Sequence, residues 1–118
     1  MFSFFNKKIS VVTHNGSFHA DDLFACATLS LYYKRKGKKI SVTRTRDKDI
    51  MRRANIVLDV GGVYNHELKR YDHHQPEGAG KRDNGIPYAS FGLIWKHYGL
   101  ELCANEEITQ EIDRRLVQ

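Results

Sequence analysis

Ile9-Ser10-Val11-Val12-Thr13-His14-Asn15-Gly16-Ser17-Phe18-His19-Ala20-Asp21-Asp22 is the stretch on which the fold turns. Its β-branched opening reads as a buried strand over residues 9–13, Gly16 permits a turn, and a helix-forming run leads away from Asp22-Leu23-Phe24-Ala25. Two imidazoles and two carboxylates are thereby crowded into the crossing from a strand to a helix. Open α/β sheets place their ligands there, beyond the carboxyl ends of the strands.

Outward from that crossing, residues 21–36 carry Leu23, Phe24, Ala27 and Leu31 at helical spacing, with Ala20 on the same face and acidic residues in the first turn, where the macrodipole favours them. Gly37 ends the helix. Residues 40–45 alternate with period two, a second strand that runs parallel to the first because a helix lies between them. A short helix over 47–53 leads to Ile56-Val57-Leu58-Asp59-Val60, a continuous apolar strand broken by one carboxylate and terminated by Gly61-Gly62. So apolar a strand is expected at the centre of the sheet, covered on both faces. Residues 64–71 read as an extended segment, 77–85 as a mobile loop of the kind that handles substrate, and 88–98 as a largely buried helix closed by Gly99. Asn105 caps a last helix, 106–117, with Ile108, Ile112 and Leu116 along one side. The expected fold is an open, mostly parallel α/β sheet with helices on both faces.

The 118 residues suffice for one domain, and 41% hydrophobic residues suffice for a core. A formal charge of +5 comes from clusters at residues 34–39, at Arg44 and Arg46, at Arg52-Arg53 and at Lys69-Arg70. Such charge attracts phosphates or a nucleic-acid backbone, though a solvated basic face has the same composition. Cys26 and Cys103 lie far apart, form no C-x-x-C pair, and read as buried reduced thiols of a cytoplasmic protein. No apolar run approaches the ~18 residues of a membrane span. Residues 1–5 are too short for a signal segment, and the basic pair Lys7-Lys8 follows them instead of preceding them.

Chemistry concentrates in three places. His14 and His19 stand with Asp21 and Asp22 after the first strand, Asp59 ends the central strand, and Asp72, His73 and His74 follow an extended segment. A mixed oxygen and nitrogen set without sulfur suits Mn²⁺, Mg²⁺, Fe²⁺ or Zn²⁺ and argues against a cysteine-rich structural zinc site. Two ions ~3.5–4 Å apart activate a water and neutralise a phosphoryl group. Competing readings are weaker: Ser17 lacks nucleophile-elbow spacing, no Lys-Ser or Lys-Thr follows Gly61-Gly62, and His66 and His97 read as surface or helix-face residues. Asp22 reads equally well as a helix cap.

Thr-His-Asn-Gly-x-Phe-His-x-Asp at 13–21, Arg-Thr-Arg-Asp at 44–47, Val-Leu-Asp-Val-Gly-Gly at 57–62, Arg-Tyr-Asp-His-His-Gln at 70–75, and Ser-Phe-Gly-Leu-Ile-Trp with His-Tyr-Gly at 90–99 occur in this order. Together they resemble the family of the melanocyte proliferating gene product, catalogued as metal-dependent protein hydrolase, within the DHH phosphoesterase superfamily. The resemblance implies a parallel-sheet α/β domain like those of RecJ-type exonucleases, oligoribonucleases and family II inorganic pyrophosphatases. It implies His14 as a ligand of one ion, Asp21 and His73 as ligands of another, and Asp59 bridging the two. Asp72 would orient His73 from behind, and His74 would face substrate phosphate. His19 falls where most of the superfamily carries a carboxylate, which softens the ligand set.

The expected activity is that of a divalent-metal-dependent phosphoesterase with two ions, Mn²⁺ foremost, acting as an exonuclease on short RNA or DNA. A small-molecule phosphoesterase and a non-catalytic metal-binding module are the alternatives. Nucleic acid or a small phosphoester is the expected partner, with no membrane and with room for a homo-oligomer. The superfamily's further aspartate and its C-terminal domain are expected beyond Gln118, so residues 1–118 read as an N-terminal part whose turnover is impaired.

Overall fold

The computed structural model describes residues 8–118, so residues 1–5, discounted above as a signal segment, lie outside the described residues. Strands β1 (Lys8–Thr13), β2 (Lys39–Arg44), β3 (Ile56–Leu58), β4 (Tyr64–Asn65) and β5 (Arg70–Tyr71) form one sheet in the order β2-β1-β3-β5-β4. All neighbours run parallel except β4, which pairs antiparallel with β5. The short apolar strand β3 takes the central position, as its composition demands.

Helices cover both faces because the strands are apolar on both. Ile9 and Val11 of β1 and Ile56 and Leu58 of β3 point to one side, where they pack with Leu29 of α1 (Ala20–Lys34) and with Leu93 and Ile94 of α3 (Ser90–Cys103). Their alternates, Val12 and Val57, point to the other side and meet Ile50 and Met51 of α2 (Lys48–Arg53). Each fully buried aliphatic side chain contributes about 1.5–3 kcal/mol from burial. Asp47 caps α2 through its side chain, accepting from the Asp49 and Ile50 amides.

The phase of α1 differs from the expected one. Leu23 and Leu31 are more than half exposed and Phe24 is exposed, while Asp22, Ala25, Thr28, Leu29 and Tyr33 are buried. Close packing against α3 favours small Ala25 and Thr28 on the inner side, and that rotation also turns Asp22 inward. Residues 64–71 are not one extended segment but a hairpin, β4 and β5, turned at Lys69 with φ 57°. Helix α3 does not stop at Gly99; it continues to Cys103 and ends on Ala104 in the left-handed region. The last helix, α4 (Glu106–Ile112), is shorter than expected and gives way to a wider π-type turn over Asp113–Val117, leaving Ile108 and Leu116 exposed. Cys26 and Cys103 are free thiols, half-buried; burial, followed by the charges of Asp22 and Asp59, pushes the Cys26 thiol up to about 11.

Loop 77–85 is pinned, not free. Arg82 makes a bidentate pair with Asp113 at 2.9 Å, donates to the Pro87 carbonyl and lies over the Tyr88 ring. Its neighbours Lys81, Asp83 and Asn84 line a cavity of about 870 Å³ with residues of α4, away from the strand ends.

His66 is exposed and His97 lies half-buried on the face of α3, as their reading as surface and helix-face residues has it, and the two are joined to each other and to tyrosines. Their rings stack at 3.7 Å, His66 Nδ1 meets the Tyr71 hydroxyl at 2.7 Å, and His97 Nε2 meets the Tyr64 hydroxyl at 2.6 Å. Burial, with the neighbouring His66 and Lys96, lowers His97 to about 4. Between the ordinary histidine value of ~6.5 and about 4, the unfolded chain binds a proton that folded His97 refuses. Stability contributed by His97 is therefore present above pH ~6.5 and is lost as the pH falls through that window. His97→Gln, which keeps an acceptor for Tyr64, is expected to flatten the fall in unfolding midpoint between those pH values. An unchanged slope in urea titrations of the variant would contradict this assignment.

Candidate metal centre

Three strand ends deliver the polar groups. β1 ends on Thr13 and passes His14 into the turn to α1, β3 passes directly into Asp59, and β5 passes directly into Asp72. Asp59 sits in the left-handed region at φ 57°, a conformation costly for most residues but tolerated by Asp and Asn. That kink, held by the Asp59 amide donating to the Tyr71 carbonyl at 3.0 Å, turns a buried carboxylate across the end of the sheet. Gly61 and Gly62, both at positive φ, then lead the chain away, and the Gly62 amide donates to Asp72 Oδ2 at 2.7 Å.

Asp59 faces two groups at once. Its Oδ2 lies 3.3 Å from His14 Nε2, which is itself 2.8 Å from Asp22 Oδ2. Its Oδ1 lies 3.1 Å from His73 Nε2 and 3.7 Å from His74 Nδ1, with the Ser90 hydroxyl at 3.4 Å. His14 with Asp22 and Asp59 forms one cluster of ligand atoms compact enough for a single cation. Asp59 with Asp72, His73 and His74 forms another. On the open side, Asp21 Oδ2 lies 3.3 Å from His73 Nε2, while its Oδ1 accepts from the Phe91 amide at the start of α3.

Charge and burial fit a divalent ion. His14 Nε2 and Asp22 Oδ2 are close, yet neither is directed at a hydrogen-bond partner, and both atoms are buried. Buried polar atoms without partners are costly, and a cation that both face would remove that cost. The bonds to Asp21 and then Asp59 hold the His73 imidazole up at about 10. Burial alone would raise the Asp21 carboxyl, but its bond to His73 and the Phe91 amide bring it below its ordinary value. Burial likewise opposes ionisation of Asp72, and the Gly62 amide and then His74 outweigh it. Four carboxylates meeting at one end of a sheet are the donor chemistry of hard or borderline cations.

Several sequence expectations change here. Asp72 does not hold His73 from behind; its Oδ1 binds His74 Nδ1 at 2.7 Å and the His73 backbone amide at 2.8 Å. The tight turn after β5 makes the ring two residues on the one that folds back onto Asp72. His19 is exposed and belongs to neither cluster; its ring lies 5.6 Å from that of His14 and lines the cavity wall. Asp22 is both cap and site residue: Oδ1 accepts from the His19 amide at 3.0 Å while Oδ2 turns to His14. A residue three positions into a helix has one oxygen for the cap and one free, and that was the available signal. The cavity over these residues is about 290 Å³ and none of loop 77–85 lines it.

A family profile described as Uncharacterised protein family (UPF0160), labelled MYG1_exonuc, matches residues 10–118. The chain belongs to this family. The motifs at 13–21, 57–62 and 70–75, which pointed to it, are the ones that build the two clusters. Among curated relatives, the MYG1 protein of Dictyostelium discoideum is 39% identical over 115 residues, covering 92% of this chain and 34% of its own length. The MYG1 exonuclease of Homo sapiens is 41% identical over 108 residues, covering 86% of this chain and 28% of its own. The MYG1 protein of Chlamydia trachomatis serovar D is 39% identical over 99 residues, with 83% and 32% covered. The chain thus spans about a third of the length of the curated relatives it matches. No solved structure matches it.

Proposed function

We infer that this chain carries the metal-binding part of a divalent-cation-dependent phosphoesterase that removes nucleotides from RNA or DNA ends. The single observation behind this reading is the pair of clusters sharing Asp59, one oxygen toward His14 and Asp22 and the other toward His73. Relatives named MYG1 exonuclease support the nucleic-acid substrate. In this reading His14, Asp22 and Asp59 would hold one ion, and Asp59 and His73, with Asp21 beside them on the open side, would hold the second; a mixed carboxylate and imidazole set suits Mn²⁺, the ion the family resemblance implies, and also Fe²⁺ or Zn²⁺.

Such ions supply Lewis acidity, lowering the pKa of water and neutralising phosphoryl charge. The protein's own groups do the rest. Asp72, kept ionised by the Gly62 amide, fixes the His74 ring, which is exposed at the cavity and turned to meet a phosphate oxygen or give a proton to a leaving group. His19 lines the same cavity and offers a further imidazole to substrate. A space of about 290 Å³ suits a terminal phosphodiester better than the middle of a duplex, and it equally suits a small phosphoester.

The test is to give protein with Mn²⁺ labelled RNA and DNA oligonucleotides beside small phosphoesters. Stepwise Mn²⁺-dependent shortening of an oligonucleotide is expected. A preparation that binds Mn²⁺ and cleaves only small phosphoesters would replace the nuclease reading. One that binds Mn²⁺ and cleaves neither would leave a metal-binding module.

A further inference from the structure

Part of the positive charge expected to hold a polyanion is occupied elsewhere. Lys36 pairs with Glu101, and Arg35 donates to the Glu101 and Leu102 carbonyls. Both lie past the far end of α1, a helix of 15 residues and so about 22 Å from the strand ends that form the site. Arg70 is spent on backbone carbonyls, among them those of Met51, Ala54 and Leu68. Arg44 lies over the Phe18 ring at 3.8 Å and donates to the Gly16 carbonyl, holding the turn between β1 and α1.

Arg46 is different. The Thr45 amide donates to the Thr13 carbonyl, extending β2 by one step and carrying Arg46 over the same turn. Its Nε donates to Asn15 Oδ1 at 2.9 Å, while its terminal nitrogens have no acceptor among the described residues. The fork stands over Gly16: the place a Cβ would occupy there is 3.8 Å from Arg46 Nη2 and 3.3 Å from His14 Nδ1. Among the residues lining the cavity, which include His14, Asp59, Asp72 and His74, Arg46 alone is permanently cationic. A guanidinium steadied at Nε, with two parallel N–H groups free, matches the oxygens of a phosphate.

We propose that Arg46 is the phosphate anchor of this site, binding the substrate's phosphoryl oxygens bidentately in the cavity that His74 also lines. The inference rests on the phosphoesterase reading above and names the residue that gives it ground-state affinity. Asn15 then acts as a positioning residue that aims the fork. Because Arg46 lies outside both cation clusters, its removal leaves metal binding intact.

The test compares wild-type protein, Arg46→Ala and Arg46→Lys, each loaded with Mn²⁺ and titrated with inorganic phosphate, with KM and kcat measured on a labelled oligonucleotide. Lys36→Ala at the far end of α1 serves as control. Arg46→Ala is expected to bind Mn²⁺ as wild type does, to weaken phosphate binding ~10-fold or more, and to raise KM in step while kcat changes less than ~3-fold. Arg46→Lys should recover part of that loss, as a point charge without the fork. Unchanged phosphate affinity and KM in Arg46→Ala would overturn the anchor, as would a fall confined to kcat. Wild-type protein that binds Mn²⁺ but neither phosphate nor oligonucleotide would overturn the phosphoesterase reading, and the anchor with it.

Discussion

Asp59→Asn is expected to abolish cation binding at both positions, lowering Mn²⁺ affinity more than ~100-fold and any phosphoester turnover by about 10³ or more. The substitution is well suited to the question because asparagine tolerates the left-handed backbone that Asp59 adopts at φ 57°. It also keeps the Asp59 amide bond to the Tyr71 carbonyl and an oxygen for the Ser90 hydroxyl. What it removes is the negative charge that faces His14 at 3.3 Å and His73 at 3.1 Å. With Asp21, Asp22 and Asp72 close by, loss of one carboxylate also relieves like-charge repulsion. Set against this is the loss of the Asp59 charge as partner of His73, so in the presence of a chelator the variant should stay folded with only a modest change in Tm while failing to retain metal on dialysis. Metal content per chain and a thermal melt decide the matter together. Retention of two ions by the asparagine variant would remove Asp59 from the bridging position, and a large loss of stability would make it a structural residue.

The second large effect lies away from the site. Gly99→Val should destabilise the protein by roughly 2–4 kcal/mol, which for a domain of this size is a fall of about 10 °C or more in Tm. A Cβ at position 99 would stand 2.7 Å from Cδ2 and Cε2 of Trp95, a distance at which the indole has to move. Trp95 is buried against Phe91, and its Nε1 donates to the Thr109 carbonyl at 3.0 Å, tying α3 to α4. Displacing the ring exposes apolar area and breaks that bond, and the β-branch adds crowding within the helix. The helix propensity regained in going from glycine to β-branched valine, about a few tenths of a kcal/mol, does not offset this. Trp95 is the only tryptophan in the chain, so a red shift of its emission reports the displacement directly. Unchanged emission and unchanged stability in urea would show that the ring has room that the packing denies.

Much of this molecule was legible in one dimension because the relevant signals are local. The apolar run over residues 56–60 demanded a central strand, and β3 is central with both faces covered, although it stops at Leu58 because Asp59 turns into the left-handed region. Asn105 announced a helix start through a cap that depends only on the next few residues. Gly99 reads as a stop although α3 runs on to Cys103, because glycine serves helix ends and close side-chain approach alike. Only the position of Trp95 one turn earlier, pressed against that backbone, tells the two uses apart.

The sequence by itself determined which chemistry the site offers: carboxylates and imidazoles, no thiols, placed at the ends of extended segments. That follows from residue type and chain direction alone. Tertiary structure decided which oxygen faces which ring. Packing of α1 against α3 rotated Asp22 inward, so a helix cap also confronts His14, and the turn after β5 gave Asp72 to His74 instead of His73. Helix phase and turn closure depend on contacts between elements far apart in the chain, and no local pattern carries them. The same holds for Arg46, one arginine of a basic chain, which is set apart by the partners that its neighbours found and its terminal nitrogens did not.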